Sequence, residues 1–156
     1  AVSGGSPISK YVDAVSSTLV TLGDANENNG SGDTYIMYCW ASVEGFSKFG
    51  SYVGTNNADG MFVFLGFKPE LVITKAASRT GHWSMANNKS NPTNRVNKVI
   101  FANSTDGEYT DPNAACLIDF TSNGFKWRNN DDNQNATETY IYMAWAAVPA
   151  KFSNAY

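Results

Sequence analysis

From Ser17 onward the chain alternates short apolar or period-two runs with clusters of Asn, Gly, Asp and Ser, which is how strands separated by turns read in a sequence. These runs predict strands near residues 17–23, 34–43, 48–53, 61–66, 70–76, 81–86, 97–103, 115–121, 124–129 and 138–148. Many short strands with frequent turn signals predict an all-β fold, an antiparallel β-sandwich of jelly-roll or lectin-like kind. The first residues differ in pattern. Ser6-Pro7 reads as an N-cap followed by proline at the first helical position, and Ile8, Tyr11, Val12, Val15 and Leu19 recur at helical spacing. One short N-terminal helix is therefore expected, with residues 1–16 forming an arm or docking segment and 17–156 the sandwich.

Two connections carry explicit turn chemistry. Asn123-Gly124 lies between the runs ending at Phe120 and starting at Phe125, and predicts a type I′ hairpin, whose positive φ angles suit Asn-Gly. The loop Asn56-Asn57-Ala58-Asp59-Gly60 is expected to join 51–53 to 61–63 as a longer hairpin.

Sliding the chain against itself by 105 residues reveals a partial repeat. Thr34-Tyr35-Ile36, Trp40-Ala41 and Val43 meet Thr139-Tyr140-Ile141, Trp145-Ala146 and Val148, and the polar loops 24–33 and 129–138 have equal length. In both copies Trp and Ile share one face of the strand while Tyr, Cys or Ala occupy the other. Such a strand belongs in the middle of a sheet, covered on both sides, which places Trp40 and Trp145 in the core. A neighbouring subunit is one candidate cover for the second face.

Composition narrows the functional classes. The 156 residues, one domain by length, are 42% hydrophobic, 13% aromatic and 16% charged, and include thirteen Gly and eighteen Asn. That balance excludes a disordered chain and a long solvated helix. A net charge of -3 with eleven scattered Lys and Arg argues against a nucleic-acid partner. No apolar run approaches the ~18 residues of a membrane span, and Ala1-Val2-Ser3-Gly4-Gly5 lacks the basic and apolar regions of a signal peptide. Cys39 and Cys116, each inside an apolar run, read as buried free thiols.

Catalytic chemistry has little to stand on. His82 is the only histidine and no nucleophile-elbow pattern accompanies it, so it reads as a structural or surface residue. Asp24-Ala25-Asn26-Glu27-Asn28 begins like a calcium loop but has Asn29 where the turn glycine belongs and Tyr35 where the bidentate Glu belongs. A solvated turn is the better reading, and neither a metal nor another cofactor is expected. Glu44, Glu70, Asp106, Glu108 and Asp119 form no recognisable glycosidase pair, and Asp119 is expected to face solvent. Aromatic side chains remain. Trp83 and Trp127 lie beside polar turns, and with Arg128 and Tyr109 they are the candidate ligand-binding residues, although core or interface is the preferred place for both tryptophans.

The run Asp33-Thr34-Tyr35-Ile36-Met37-Tyr38-Cys39-Trp40 and the following Val43-Glu44-Gly45-Phe46-Ser47-Lys48-Phe49-Gly50-Ser51-Tyr52 resemble a domain found towards the C-terminus of tail-fibre-like proteins of marine tailed phages. Gly66-Phe67-Lys68-Pro69, Ala102-Asn103-Ser104-Thr105-Asp106, Ser122-Asn123-Gly124-Phe125-Lys126 and Thr139-Tyr140-Ile141-Tyr142-Met143-Ala144 continue the likeness, which spans about 17–156. The resemblance implies a β-sandwich virion protein, made in the host bacterial cytoplasm, with no catalytic residues to carry over. The resemblance implies a domain that usually follows a long fibre shaft or earlier repeats, whereas here the chain begins about 16 residues upstream of it. The expected function is a non-enzymatic virion appendage, homotrimeric, seated among other virion proteins and binding a host cell-surface glycan weakly. The alternatives are a capsid decoration, cement or head-fibre protein and, behind these, a polysaccharide depolymerase.

Overall fold

The computed structural model describes residues 11–91, 93–110 and 116–147. By its contacts the chain divides into two units, Ala1–Cys39 and Trp40–Tyr156.

In the first unit, β1 (Val12–Val15) and β2 (Val20–Leu22) form an antiparallel hairpin, and a single helical turn, α1 (Asn26–Asn29), follows. The expected N-terminal helix is thus replaced, over its described part, by a strand. Val12, Val15 and Val20 are β-branched and lose less freedom in a strand than in a helix. Ser16 then turns the chain, its Oγ accepting from the Leu19 amide at 3.0 Å. The first half of the expected helix, through Lys10, lies outside the described residues.

The strand expected over 34–43 is not formed: residues 33–42 belong to no strand, and only Val43 makes an isolated bridge, to Ser47. Trp40 is 57% exposed rather than core, and Cys39 is exposed while Cys116 is buried. A period-two pattern permits a strand, but a ladder requires neighbours of its own.

The second unit carries β3 (Ser47–Val53), β4 (Phe62–Phe64), β5 (Pro69–Ala76), β6 (Ser84–Asn87), β7 (Lys98–Phe101), β8 (Tyr109–Thr110), β9 (Ile118–Thr121), β10 (Gly124–Trp127) and β11 (Thr139–Ala146). Six strands form one sheet in the order β3-β11-β5-β6-β7-β8, and three form another in the order β4-β10-β9. Every pairing is antiparallel, so the fold is all-β and sandwich-like. The short β8 was not apparent from the sequence.

Alternation decides what each strand buries. On β11 the residues Tyr140, Tyr142 and Ala144 point inward while Ile141 is 41% exposed, so one apolar face is covered and the other only in part. Trp145, expected in the core, is half-buried and meets Phe49 edge-on at 5.6 Å. From the smaller sheet, Val63, Ile118, Phe120, Phe125 and Trp127 join the same core cluster as Tyr52, Val72, Tyr140 and Tyr142. Phe125 meets Tyr52 and Tyr142 edge-on at 6.1 and 5.8 Å. Full burial of each large apolar side chain contributes about 1.5–3 kcal/mol.

Of the two expected hairpins one is not formed, and the other, β9–β10, forms with a different turn. β3 and β4 lie in different sheets, so 54–61 is a crossing rather than a hairpin loop. The β9–β10 turn is made by Ser122 and Asn123, neither of which has positive φ. Gly124 instead pairs with Thr121 inside the hairpin. It is needed for room, because a Cβ there would lie 2.2 Å from the Val63 carbonyl oxygen on β4. Asp119, expected to face solvent, has a side chain only 15% exposed.

Candidate functional site

Three strands at one edge of the larger sheet assemble a row of rings. Ser84 pairs with Phe101 and Val99 with Tyr109, which brings the ends of β6, β7 and β8 together. His82, just ahead of β6, stacks on Phe101 with centroids 4.4 Å apart and planes 28° from parallel. Phe101 stacks in turn on Tyr109 at 6.2 Å and 29°. Tyr109 is 43% exposed, whereas His82 and Phe101 are half-buried.

Hydrogen bonds fix this row from both sides. The His82 amide donates to Asn133 Oδ1 at 3.0 Å, and Asn133 is itself held by Asp131, which accepts from its backbone and side-chain nitrogens at 2.8 and 3.0 Å. The Trp83 amide donates to Asn103 Oδ1 at 2.8 Å, and the Ala102 amide donates to the Trp83 carbonyl at 3.0 Å. Beyond β7 a polar turn continues, in which Ser104 Oγ donates to Asp106 at 2.6 Å. Lys98 and Glu108 pair at 3.0 Å between β7 and the residue ahead of β8. Rings held on a fixed backbone beside hydroxyl, amide and carboxylate groups make a surface suited to a flat, hydroxylated ligand.

Of the residues singled out in the sequence, Trp83 and Tyr109 therefore belong to this edge. Trp127 does not: it is 1% exposed and part of the core, so its ring is not presented to a ligand. Arg128 is also committed elsewhere. Its Nε donates to Asp119 at 2.6 Å and its Nη1 to Asp59, while Lys126 reaches Asp59 at 2.7 Å and Arg95 approaches Asp119 at 3.9 Å. The Lys126 ammonium, first by its hydrogen bond and then by its charge, together with Arg128, holds the Asp59 carboxyl below its ordinary pKa. The hydrogen bond to Asp119 raises the Arg128 pKa. The guanidinium thus ties β10 to β9 and to the 54–61 crossing.

His82 and Phe101 were missed as members of the row. Nothing in their local sequence marks them, because the row exists only through the β6–β7–β8 register. A concavity of about 180 Å³, lined by Lys68, Lys89, Asn91 and Asn94 among others, also lacks a sequence signature. Part of its lining is structural: Asn94 clasps Phe120, donating to its carbonyl at 3.2 Å and accepting from its amide at 3.0 Å.

Among the described residues no group of three or more His, Cys, Asp or Glu is placed to hold a metal ion. No helix among them is long and apolar enough to cross a membrane. No curated protein and no solved structure matches the chain. Residues 2–149 match a domain of unknown function, DUF7483, and the chain therefore belongs to that family.

Proposed function

We propose that the chain is a non-enzymatic domain of a phage virion appendage, a tail or surface fibre, that contacts the host surface and binds glycans weakly. The observation that carries this reading is the row His82–Phe101–Tyr109, rigidly held yet open at Tyr109 and bordered by polar side chains. The phage setting is supported by the sequence resemblance alone. One partly exposed ring contributes about 0.5–1.5 kcal/mol to a stacked contact. Millimolar affinity corresponds to about 4 kcal/mol, so the bordering polar groups would have to supply most of it. A homotrimer that presents three such edges gains affinity by avidity without a deeper pocket.

The test is an NMR titration of the isotope-labelled protein with oligosaccharides prepared from host cell envelopes. The expected result is fast-exchange shifts confined to Trp83, Phe101, Tyr109 and the 102–106 turn, lost on Tyr109→Ala. Shifts elsewhere, or none at tens of millimolar sugar, would falsify the glycan reading.

A further inference from the structure

One piece of local structure occurs twice in this chain. In the second unit the loop between β10 and β11 is closed by Asn135, whose Nδ2 donates to the Asn129 carbonyl at 2.6 Å. In the first unit Asn29 Nδ2 donates to the Gly23 carbonyl, also six residues back, at 2.8 Å. The chain turns in the same way before each asparagine. Gln134 and Asn135 amides both donate to the Asp131 carbonyl at 3.1 and 2.8 Å, and Asn28 and Asn29 amides both donate to the Ala25 carbonyl at 3.2 and 2.8 Å.

The tyrosine that follows is held alike. Tyr140 Oη accepts from the Ala136 amide at 2.9 Å and donates to the Asp132 carbonyl at 2.8 Å. Tyr35 Oη accepts from the Gly30 amide at 3.0 Å and donates to the Asn26 carbonyl at 2.5 Å. An antiparallel hairpin precedes each loop, β1–β2 in one case and β9–β10 in the other. After each tyrosine comes the repeated strand sequence, with Met37, Tyr38 and Cys39 standing where β11 has Tyr142, Met143 and Ala144.

The two copies have different fates. β11 is laddered on both edges, from Thr139 opposite Val53 to Trp145 opposite Ser47 on β3, and from Tyr140 opposite Ala76 to Trp145 opposite Leu71 on β5. Residues 34–41 form no strand, and Ile36 and Met37 are 79% and 56% exposed.

We propose that residues 11–41 are the closing segment of a second copy of this fold, and that 34–41 is a donor strand for the slot between the β3 and β5 strands of another copy of this domain. The side chains suit that slot. Tyr35, Met37 and Cys39 reproduce the large, large, small order of Tyr140, Tyr142 and Ala144 on the inward face, and Cys39 enlarges the 0%-exposed Ala144 position by one sulfur atom. Ile36 and Trp40 match Ile141 and Trp145 on the outer face. The main-chain ladder would supply affinity and these alternate side chains the specificity. Among the described residues this sequence occurs twice against one slot, which β11 fills, so the acceptor is the slot of another copy of this domain whose own closing strand is displaced.

Two experiments on the full chain test this. The first writes the donor sequence into β11 by Tyr142→Met, Met143→Tyr and Ala144→Cys. The triple variant is expected to unfold cooperatively with Tm within about 10 °C of the parent, because Tyr142→Met removes ring volume while Ala144→Cys adds one sulfur atom. Loss of cooperative unfolding overturns the proposal.

The second combines Ala144→Asp, which places an unpaired charge at a fully buried position of β11, with Val72→Cys and Cys116→Ser. Ala144 pairs with Val72, so a donor strand in register sets Cys39 beside V72C. The expected result is a disulfide between Cys39 of one chain and V72C of another, mapped by mass spectrometry and abolished by Ile36→Asp. A disulfide within one chain places the strand in its own sheet and overturns the second-copy reading; no disulfide overturns it as well.

Discussion

The hydroxyl of Tyr52 donates to the backbone carbonyl of Gln134 at 2.5 Å, joining β3 to the loop that leads into β11 across 82 residues of sequence. The Tyr52 ring stacks on Tyr140 at 5.2 Å and 12°, and Tyr140 holds the same loop through Asp132 and Ala136. Two aromatic core residues therefore also serve as the loop's hydrogen-bond posts.

Replacing Tyr52 with Phe keeps the ring and removes the donor, leaving the Gln134 carbonyl without that partner. A net loss of about 1–2 kcal/mol is expected, read from the denaturant midpoint at unchanged m-value. A loss below about 0.3 kcal/mol would show that the bond has no net weight.

Burial, more than the neighbouring Tyr140, raises the Tyr52 pKa well above its ordinary value, and burial likewise raises those of Tyr140 and Tyr142. The unfolded tyrosines ionise near about pH 10, ahead of the folded ones. Their contribution is therefore complete below about pH 10 and is lost as pH rises from there toward the folded-state values. Denaturant midpoints are expected to fall between about pH 9 and 11, with a shallower fall in Tyr52→Phe. A parent protein equally stable at both ends of that window contradicts the assignment.

Asn135 is buried and its side chain serves three backbone groups. It accepts from the Thr55 amide at 3.0 Å and donates to the carbonyls of Asn57 and Asn129 at 2.8 and 2.6 Å, clasping the 54–61 crossing to the β10–β11 loop. Asn135→Ala leaves these groups unpaired and is expected to cost about 3 kcal/mol. The exposed Asn130→Ala is expected to cost under about 0.5 kcal/mol. Equal effects of the two substitutions would remove the clasp from the account.

Because Lys126 and Arg128 lower the Asp59 pKa, its contribution is present above about pH 4, the unfolded carboxylate value, and is lost as pH falls through the folded value. Asp59 lies in solvent, so the effect is small and screened by salt. Asp59→Asn is expected to flatten the acid limb of a stability-against-pH curve at low ionic strength. At about 1 M salt the variant and parent curves are expected to converge; persistence of the full difference there would argue against a charge effect.

Parts of the core and of the candidate edge were visible in the sequence to different degrees. The alternation along β5, β9, β10 and β11 correctly marks strands, because side-chain direction repeats every two residues regardless of what lies beyond. The edge was half visible: Tyr109 and Trp83 stand out as aromatic residues, but Phe101 and His82 join Tyr109 only through cross-strand register, and Trp83 is tied to the edge by its backbone.

What the sequence by itself determined is local: the strand-forming runs, the β class that follows from them, the placement of glycine and asparagine in tight passages, and the repeat of 34–41 at 139–146. Tertiary structure decided what those pieces become. The same Thr-Tyr-Ile…Trp-Ala pattern is a doubly laddered strand at β11 and no strand at 34–41, since only β11 has β3 and β5 beside it. Trp127 enters the core because the smaller sheet faces the larger one across Phe125, and Arg128 enters an ion cluster because β9 and the 54–61 crossing bring Asp119 and Asp59 to it. Backbone pairing and burial depend on residues far away in the chain, and no window of local sequence contains them.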